Sequence, residues 1–182
     1  MEPEIAIRPE TPRDIDAIEE VTIAAFRDLA VSNQTEQYIV AALRAAGALT
    51  VSLVAERNRR VVGHVAFSPV ALSDGTANWY GLSPVSVWPE CQRQGIGTAL
   101  VREGLSALKG LGAGGCCLVG DPNYYKRFGF RNVPGLTLEG VPPEVFQALC
   151  LAGPLPRGAV TFHDAFTATA PQASQSDPPQ CL

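Results

Sequence analysis

Residues 85–100 restrict the possible folds of this chain more than any other segment. Their sequence, V-S-V-W-P-E-C-Q-R-Q-G-I-G-T-A-L, predicts a strand, then a loop with two glycines, then the start of a helix. A helix that begins this way leaves backbone amides unpaired at its N-terminus, where the helix dipole also favours an anion. Gly95 and Gly97 have no Cβ, so a ligand can approach the backbone, and Arg93 adds a positive charge. The segment therefore predicts a binding site for a diphosphate.

The pattern of this loop excludes two common nucleotide-binding motifs. It is neither the phosphate-binding loop G-x-x-x-x-G-K-[ST] nor the dinucleotide fingerprint G-x-G-x-x-G. Residues 90–131 contain six Lys or Arg and three Asp or Glu, so this segment is positive in a chain whose formal net charge is −4. A positive segment within an acidic protein suits a small polyanionic ligand.

The order of the predicted elements indicates a mixed α/β (α+β) fold. We predict strands over residues 4–8, 49–57, 61–72, 79–88, 116–119, 136–139 and 159–162. We predict helices over residues 12–29, 36–46, 95–108, 122–128 and 143–149. The turns between the middle strands are too short for parallel crossovers, so these strands should pair antiparallel. The strand–helix–strand unit from Val85 to Val119 should instead form a right-handed parallel crossover.

Length and composition favour one folded domain. The chain has 182 residues, of which 46% are hydrophobic and 18% charged, which is enough apolar material for one core. We expect the domain to cover residues 1–166. The small, polar, proline-rich residues 167–182 are expected to form a disordered tail.

Charge and cysteine usage exclude several classes of protein. The acidic balance speaks against nucleic-acid binding, and no apolar run reaches the ~18 residues needed to cross a membrane. The acidic first residues are unlike a secretory signal, so we expect a cytoplasmic location. Five cysteines without C-x-x-C spacing and two distant histidines predict neither a disulfide framework nor a metal site.

Residues 87–97 carry a resemblance to a known family. Five positions match the coenzyme-A-binding motif V-x-P-x-x-[QR]-x-x-G-x-[GA] of the GNAT superfamily of N-acetyltransferases, namely Val87, Pro89, Gln92, Gly95 and Gly97. The resemblance implies a GNAT-type fold, with a mostly antiparallel central sheet flanked by helices, and acetyl-CoA as co-substrate. It also implies cofactor contacts along the loop and the first helical turn, at Gln92, Arg93, Gln94, Gly95, Ile96, Gly97 and Thr98.

The resemblance also gives a role to the strand before the loop. In this family the strand is bulged, and its freed amides bind the thioester carbonyl and the pantetheine arm. In this sequence those positions are Val85 and Val87. A fixed amide aimed at the carbonyl oxygen stabilises the negative charge that develops when an amine attacks.

A second motif lies in residues 120–130, G-D-P-N-Y-Y-K-R-F-G-F. It is similar to the Y-x-x-x-G-F element of the family, and most similar to its YhbS-like branch, with Tyr125 in the tyrosine position. The resemblance implies that Tyr125 protonates the departing thiolate and that Asn123 contacts the pantetheine. A phenol is neutral at neutral pH and can donate to a sulfur whose thiol pKa is about 8.5. The alternative is that Tyr125 only packs, with its hydroxyl bonded to a carbonyl.

The sequence leaves the general base and the acceptor open. His64, His163, Glu36 and Glu90 are candidate bases without further support, and no Cys or Ser lies beside an obvious base. We therefore expect direct attack by a small-molecule or peptide amine in a ternary complex. The first 48 residues carry nine acids against four arginines, which favours an acidic rim that attracts a cationic amine.

Two functions fit these residues. The first is an acetyl-CoA-dependent N-acetyltransferase, for which the family resemblance also allows a homodimer. The alternative is a non-catalytic acyl-CoA-binding or regulatory module on the same fold, because a fold does not determine a function.

Overall fold

In the computed structural model, which describes residues 5–171, eight strands form the sheet. They are β1 (Ala6–Pro9), β2 (Val51–Arg57), β3 (Arg60–Leu72), β4 (Trp79–Val87), β5 (Gly115–Val119), β6 (Leu136–Leu138), β7 (Phe146–Cys150) and β8 (Gly158–Phe162). Six lie side by side in the order β1-β2-β3-β4-β5-β7, while β8 pairs with β3 and with β6. The β4–β5 and β6–β8 pairs are parallel, and the others are antiparallel. The predicted mixed, mostly antiparallel sheet is confirmed.

Helices cover both faces of this sheet. They are α1 (Ile15–Phe26), α2 (Glu36–Ala45), α3 (Ile96–Gly110) and the short α4 (Pro122–Tyr125). Gly63 of β3 faces α3, since a Cβ at this position would lie 3.0 Å from a methyl carbon of Leu100. The next residue, His64, is paired with Ser86, whose hydroxyl donates to Thr22 of α1 at 3.3 Å. Because neighbouring side chains of a strand point to opposite faces, α1 and α3 cover opposite sides of the sheet.

The close approach of α3 to the sheet depends on Gly104. A Cβ at Gly104 would overlap the ring of the fully buried Phe67 on β3. Leu100 and Leu108 of the same helix are completely buried in the cluster around Phe67. This contact fixes the position of α3, and thereby of its N-terminus, relative to β3 and β4.

The predicted helix over residues 143–149 is wrong. Phe146–Cys150 form β7 instead, antiparallel to β5. The side chain of Gln147 is buried, and it donates a hydrogen bond to the Gly120 carbonyl oxygen at 3.1 Å. A short apolar run fits a helix or a buried strand equally well. Here the open edge of β5 supplies partners for the backbone, so the strand forms.

Charged side chains tie β1 to the start of α1. A 3-10 turn at Pro12–Asp14 precedes the helix, and Thr11 and Asp14 form a capping box. The Asp14 carboxylate accepts hydrogen bonds from Arg8 Nη1 and Nη2 at 2.7 and 2.9 Å. These bonds from Arg8 are the main reason why the pKa of Asp14 lies well below its usual range.

Asp14→Asn is expected to lower the free energy of unfolding at neutral pH by about 2 kcal/mol, because hydrogen bonds to charged groups contribute that much. The folded state depresses the pKa of Asp14, so its stabilisation is present above the unfolded pKa of about 3.9 and is lost as the pH falls below it. Urea unfolding of the wild type and of Asp14→Asn, between neutral pH and about pH 3, measures how their difference in the free energy of unfolding changes with pH. A difference that stays constant down to low pH would contradict the expectation.

The described residues extend just past the expected domain boundary. A 3-10 turn covers Asp164–Thr167, and Ala165 and Phe166 pack in a cluster with residues of α2. Of the predicted tail, residues 172–182 lie outside the described residues, so the boundary at residue 166 stays a prediction. In the part that is described, no helix is both long enough and apolar enough to cross a membrane.

Candidate functional site

The parallel strands β4 and β5 separate part of the way along and leave an open gap. Their pairing ends at Gly81 and Cys117, beyond which β4 continues to Val87 without β5 beside it. Between Leu82 and Val85, β4 has one residue more than the matching stretch of β3. This extra residue is a bulge in the strand that leads into the loop, as the family resemblance implies.

The amides of Val85 and Val87 point toward this gap. The Trp88 amide donates to the Val62 carbonyl oxygen at 3.0 Å, so it points toward β3. Successive amides of a strand point to alternate edges, which turns those of Val87 and Val85 away from β3. Main-chain contacts to a ligand in the gap need this orientation.

The loop after β4 is held by its own side chains. Arg93 and Gly95 have φ angles of +60° and +85°, in the left-handed region that glycine adopts without strain. The Gln92 side chain donates to the Val87 carbonyl oxygen at 3.1 Å, and that of Gln94 donates to a carbonyl within the loop at 3.0 Å. The two glutamine side chains therefore stabilise the loop conformation through hydrogen bonds to nearby backbone carbonyl groups.

The N-terminus of α3 presents unpaired amides. The first hydrogen bond of the helix runs from the Ala99 amide to the Gly95 carbonyl oxygen at 2.9 Å. The amides of Ile96, Gly97 and Thr98 therefore have no carbonyl partner within the helix. Together with the positive end of the helix dipole, they form the type of site that binds phosphate.

Two tyrosines of α4 stand across the gap from α3. The Asp121 carboxylate caps α4 by accepting a hydrogen bond from the Asn123 amide at 2.9 Å. The Tyr124 hydroxyl reaches α3, since a Cβ added to Gly97 would lie 3.1 Å from its oxygen. Arg127 lies 4.4 Å over the Tyr124 ring, and its Nε donates to the Tyr124 carbonyl oxygen at 2.8 Å. The cation–π contact and the hydrogen bond thus keep both side chains at the edge of the gap.

The side chain of Tyr125 is half-buried among aromatic neighbours. Its ring packs edge-to-face against Tyr124 and Phe130, with ring centroids 4.9 and 5.9 Å apart. Burial, with smaller contributions from Tyr124 and Cys116, raises the pKa of Tyr125 above its usual range. The phenol therefore keeps its proton at neutral and mildly alkaline pH.

A cavity of about 610 Å³ joins the loop, the gap and the tyrosines. Most of the site residues predicted from the sequence line it: Val85, Val87, Gln92, Arg93, Gly95, Gly97, Thr98 and Tyr125. The other three do not. The side chain of Ile96 is buried in the core, that of Gln94 accepts a hydrogen bond from Arg57, and Asn123 is exposed beside α4.

Five lining residues were missed by the sequence motifs: Ala25, Phe26, Leu29, Tyr124 and Arg127. The first three lie at the end of α1 and just beyond it, far from the loop in sequence. Helical spacing predicts that this helix has a buried face, but it does not show that the face ends at a cavity. Tyr124 and Arg127 lie within the second motif, where the adjacent tyrosines and the basic residues were the available signal.

The candidate general bases do not line the cavity. His64 is completely buried, and burial lowers its pKa although its interactions with Glu10 oppose this. Its Nε2 lies 2.8 Å from Ser52 Oγ. Glu36 accepts a hydrogen bond from Ser32 Oγ at 2.7 Å. Among the residues that the structure describes, none that lines the cavity carries a carboxylate or an imidazole.

The two cysteines of β5 are poorly suited to covalent catalysis. Cys116 and Cys117 are buried in β5, and burial raises the pKa of both thiols, that of Cys117 to about 12. Cys91 is buried beside the loop, where Arg57 donates to its sulfur. Because the thiolate is the nucleophilic form, the thiols of β5 are inert at neutral pH. Within residues 5–171, no group of three His, Cys, Asp or Glu is arranged to hold a metal ion.

Part of the chain matches a known domain family. Residues 49–132 match the family described as acetyltransferase (GNAT) domain. The uncharacterized N-acetyltransferase YhbS of Escherichia coli strain K12 is 37% identical over 126 residues, which are 69% of this chain and 72% of YhbS.

Two solved structures are similar over nearly the whole chain. A GNAT family acetyltransferase from Brucella melitensis, in complex with acetyl-CoA, is 50% identical with a TM-score of 0.81, covering 90% of this chain and 98% of that one. The N-acetyltransferase YhbS from Escherichia coli, in complex with CoA, is 32% identical with a TM-score of 0.82, covering 93% and 96%. The family match includes the loop and both tyrosines, whereas Phe26 and Leu29 fall outside it.

Proposed function

Because the chain belongs to the GNAT family of N-acetyltransferases, we propose that it transfers the acetyl group of acetyl-CoA to a primary amine. One observation carries this proposal. A single cavity joins the N-terminus of α3, the gap beside β4 and Tyr125. The helix N-terminus suits the diphosphate of acetyl-CoA, and the gap suits its thioester. Tyr125 suits the sulfur that departs in the reaction.

The diphosphate of acetyl-CoA binds at the start of α3 in this proposal. The unpaired amides of Ile96, Gly97 and Thr98 donate to its oxygens, and Arg93 adds a positive charge. Ile96 contributes through its backbone alone, since its side chain is buried in the core. Gly97 has no side chain to cover these amides, and the Tyr124 hydroxyl lies 3.1 Å from where its Cβ would be.

The chemical step follows from the groups around the gap. The amide of Val85 or Val87 donates to the thioester carbonyl oxygen, which gains negative charge as the amine attacks. A C–N bond forms, the C–S bond breaks, and the acetyl group moves directly to the acceptor without a covalent enzyme intermediate. The amine loses one proton to water and the sulfur gains one. Tyr125 supplies the proton to the sulfur and then regains one from solvent.

Calorimetric titration with acetyl-CoA tests the proposal. We expect a Kd on the order of micromolar, and Arg93→Glu should weaken binding by about tenfold or more, since hydrogen bonds to charged groups contribute about 1.5–3 kcal/mol. Arg13→Glu is the matched control, because it makes the same charge change at an exposed residue outside the cavity lining. Its Kd should equal that of the wild type.

The outcomes separate the two functions that fit the sequence. If neither acetyl-CoA nor CoA bound, the proposal would be withdrawn. Binding without acetylated product from any amine would instead support the non-catalytic acyl-CoA-binding module.

A further inference from the structure

The cavity has two chemically different ends. At the end formed by the loop and the start of α3, backbone amides and Arg93 offer hydrogen bonds and a positive charge. At the other end, Ala25, Phe26 and Leu29 offer only apolar side chains. Because α1 and α3 cover opposite faces of the sheet, acetyl-CoA bound at the α3 end leaves the α1 end free for the second substrate.

No described residue at the α1 end supplies the negative charge that would hold a cation. Within the described part of the chain, the charged residues that line the cavity are Arg93 and Arg127, and no Asp or Glu lines it. The acids just beyond α1 do not line it, since Asp28 and Glu36 are both absent from its walls, and Glu36 accepts a hydrogen bond from the Ser32 hydroxyl at 2.7 Å. Among the residues that the structure describes, the acidic rim expected from the sequence therefore does not reach the cavity.

The same end exposes apolar side chains to solvent. Leu29 is 46% exposed, and Ala25 and Phe26, which also line the cavity, are partly exposed. Apolar side chains that gather at the mouth of a cavity mark a surface for an apolar ligand. An ammonium group brought here would lose its hydration and gain no counter-charge, which favours the neutral amine.

We infer that the acceptor is a primary amine carried on an apolar carbon chain or ring, which packs against Phe26 and Leu29 and reacts as the free base. This inference rests on the proposed function, since it takes the α3 end to be occupied by acetyl-CoA. Polyamines and other polycations are the competing class of acceptor.

Pentylamine and cadaverine test the inference as a matched pair, because they share one carbon chain and differ by a second amino group. We expect kcat/KM for pentylamine to exceed that for cadaverine by about tenfold or more, which is the scale on which an apolar pocket discriminates. The kcat/KM should also rise with pH as the amine loses its proton. Release of free CoA thiol measures both quantities, and a preference for cadaverine would overturn the inference.

Leu29→Asp tests the same inference by changing the protein instead of the amine. The new carboxylate should lower the pentylamine-to-cadaverine ratio of kcat/KM by about tenfold. Val31→Asp is the matched control, since Val31 is more exposed than Leu29 and does not line the cavity. An unchanged ratio in a folded Leu29→Asp protein would overturn the inference, as would an equal change in both variants.

Calorimetry distinguishes a failure of this inference from a failure of the proposed function. Wild type, Leu29→Asp and Val31→Asp should bind acetyl-CoA with the same Kd. If the wild type does not bind acetyl-CoA, the proposed function fails, and the acceptor inference fails with it. If it binds acetyl-CoA and acetylates amines but prefers cadaverine, the acceptor inference alone is wrong.

Discussion

Gly97→Leu is expected to weaken acetyl-CoA binding by about a hundredfold, or about 2.8 kcal/mol, while the protein stays folded. Gly97 lies beside the unpaired amides of α3, and even a Cβ there would lie 3.1 Å from the Tyr124 hydroxyl oxygen. A leucine side chain would fill the space through which the diphosphate reaches the backbone. Leucine is a better helix former than glycine, so the helix itself should not be weakened. Calorimetry and thermal unfolding measure the two effects separately.

Gly110→Leu is the matched control for this prediction. It makes the same substitution at the other end of α3, where a Cβ would meet nothing within 4 Å. We expect its Kd for acetyl-CoA to equal that of the wild type. Full binding by Gly97→Leu would show that the start of α3 does not hold the diphosphate, and equal losses in both variants would show a general effect on the helix.

The loop and the start of α3 could be predicted because their geometry is local. The left-handed conformation at Gly95 and the unpaired amides after it depend on residues that are adjacent in sequence. A strand, a glycine loop and a helix in direct succession therefore indicate a phosphate site before any tertiary contact is known. The same holds for the tyrosine motif, which lies directly after β5.

The α1 end of the cavity could not be predicted in this way. Phe26 and Leu29 reach the cavity because α1 packs against β3 and β4, and that packing joins residues far apart in the chain. The misassigned β7 has the same origin. Residues 146–150 form a strand because they can pair with the edge of β5. The sequence of the segment alone does not indicate that a strand distant in the chain will lie beside it.

The choice between the two adjacent tyrosines also needs the structure. The family motif points to Tyr125, yet both tyrosines line the cavity and their rings touch at a centroid distance of 4.9 Å. Their surroundings differ. The Tyr124 hydroxyl lies near Gly97, and the Arg127 guanidinium lies over the Tyr124 ring. The Tyr125 ring packs against Phe130 instead. The two hydroxyls should therefore serve different steps, one in binding and one in transfer.

Tyr125→Phe is expected to lower kcat by about a hundredfold, the typical contribution of a positioned proton donor, with little change in the Kd for acetyl-CoA. The substitution removes the hydroxyl alone, and the ring keeps its packing against Phe130. Burial raises the pKa of Tyr125, so the wild type should lose this proton only above the usual value of about 10. Its kcat should therefore not fall through tyrosine ionisation as the pH rises from neutral to about 10. Steady-state kinetics across this range measure both effects.

Tyr124→Phe is the matched control for that assignment. Its hydroxyl lies at the start of α3, so its loss should raise the Kd for acetyl-CoA and leave kcat nearly unchanged. The reverse result, with kcat lost in Tyr124→Phe and kept in Tyr125→Phe, would place the proton donor on Tyr124. That outcome would mean that enclosure of Tyr125 serves the packing of α4 against the core. The raised pKa of Tyr125 would then be a consequence of that packing, without a role in transfer.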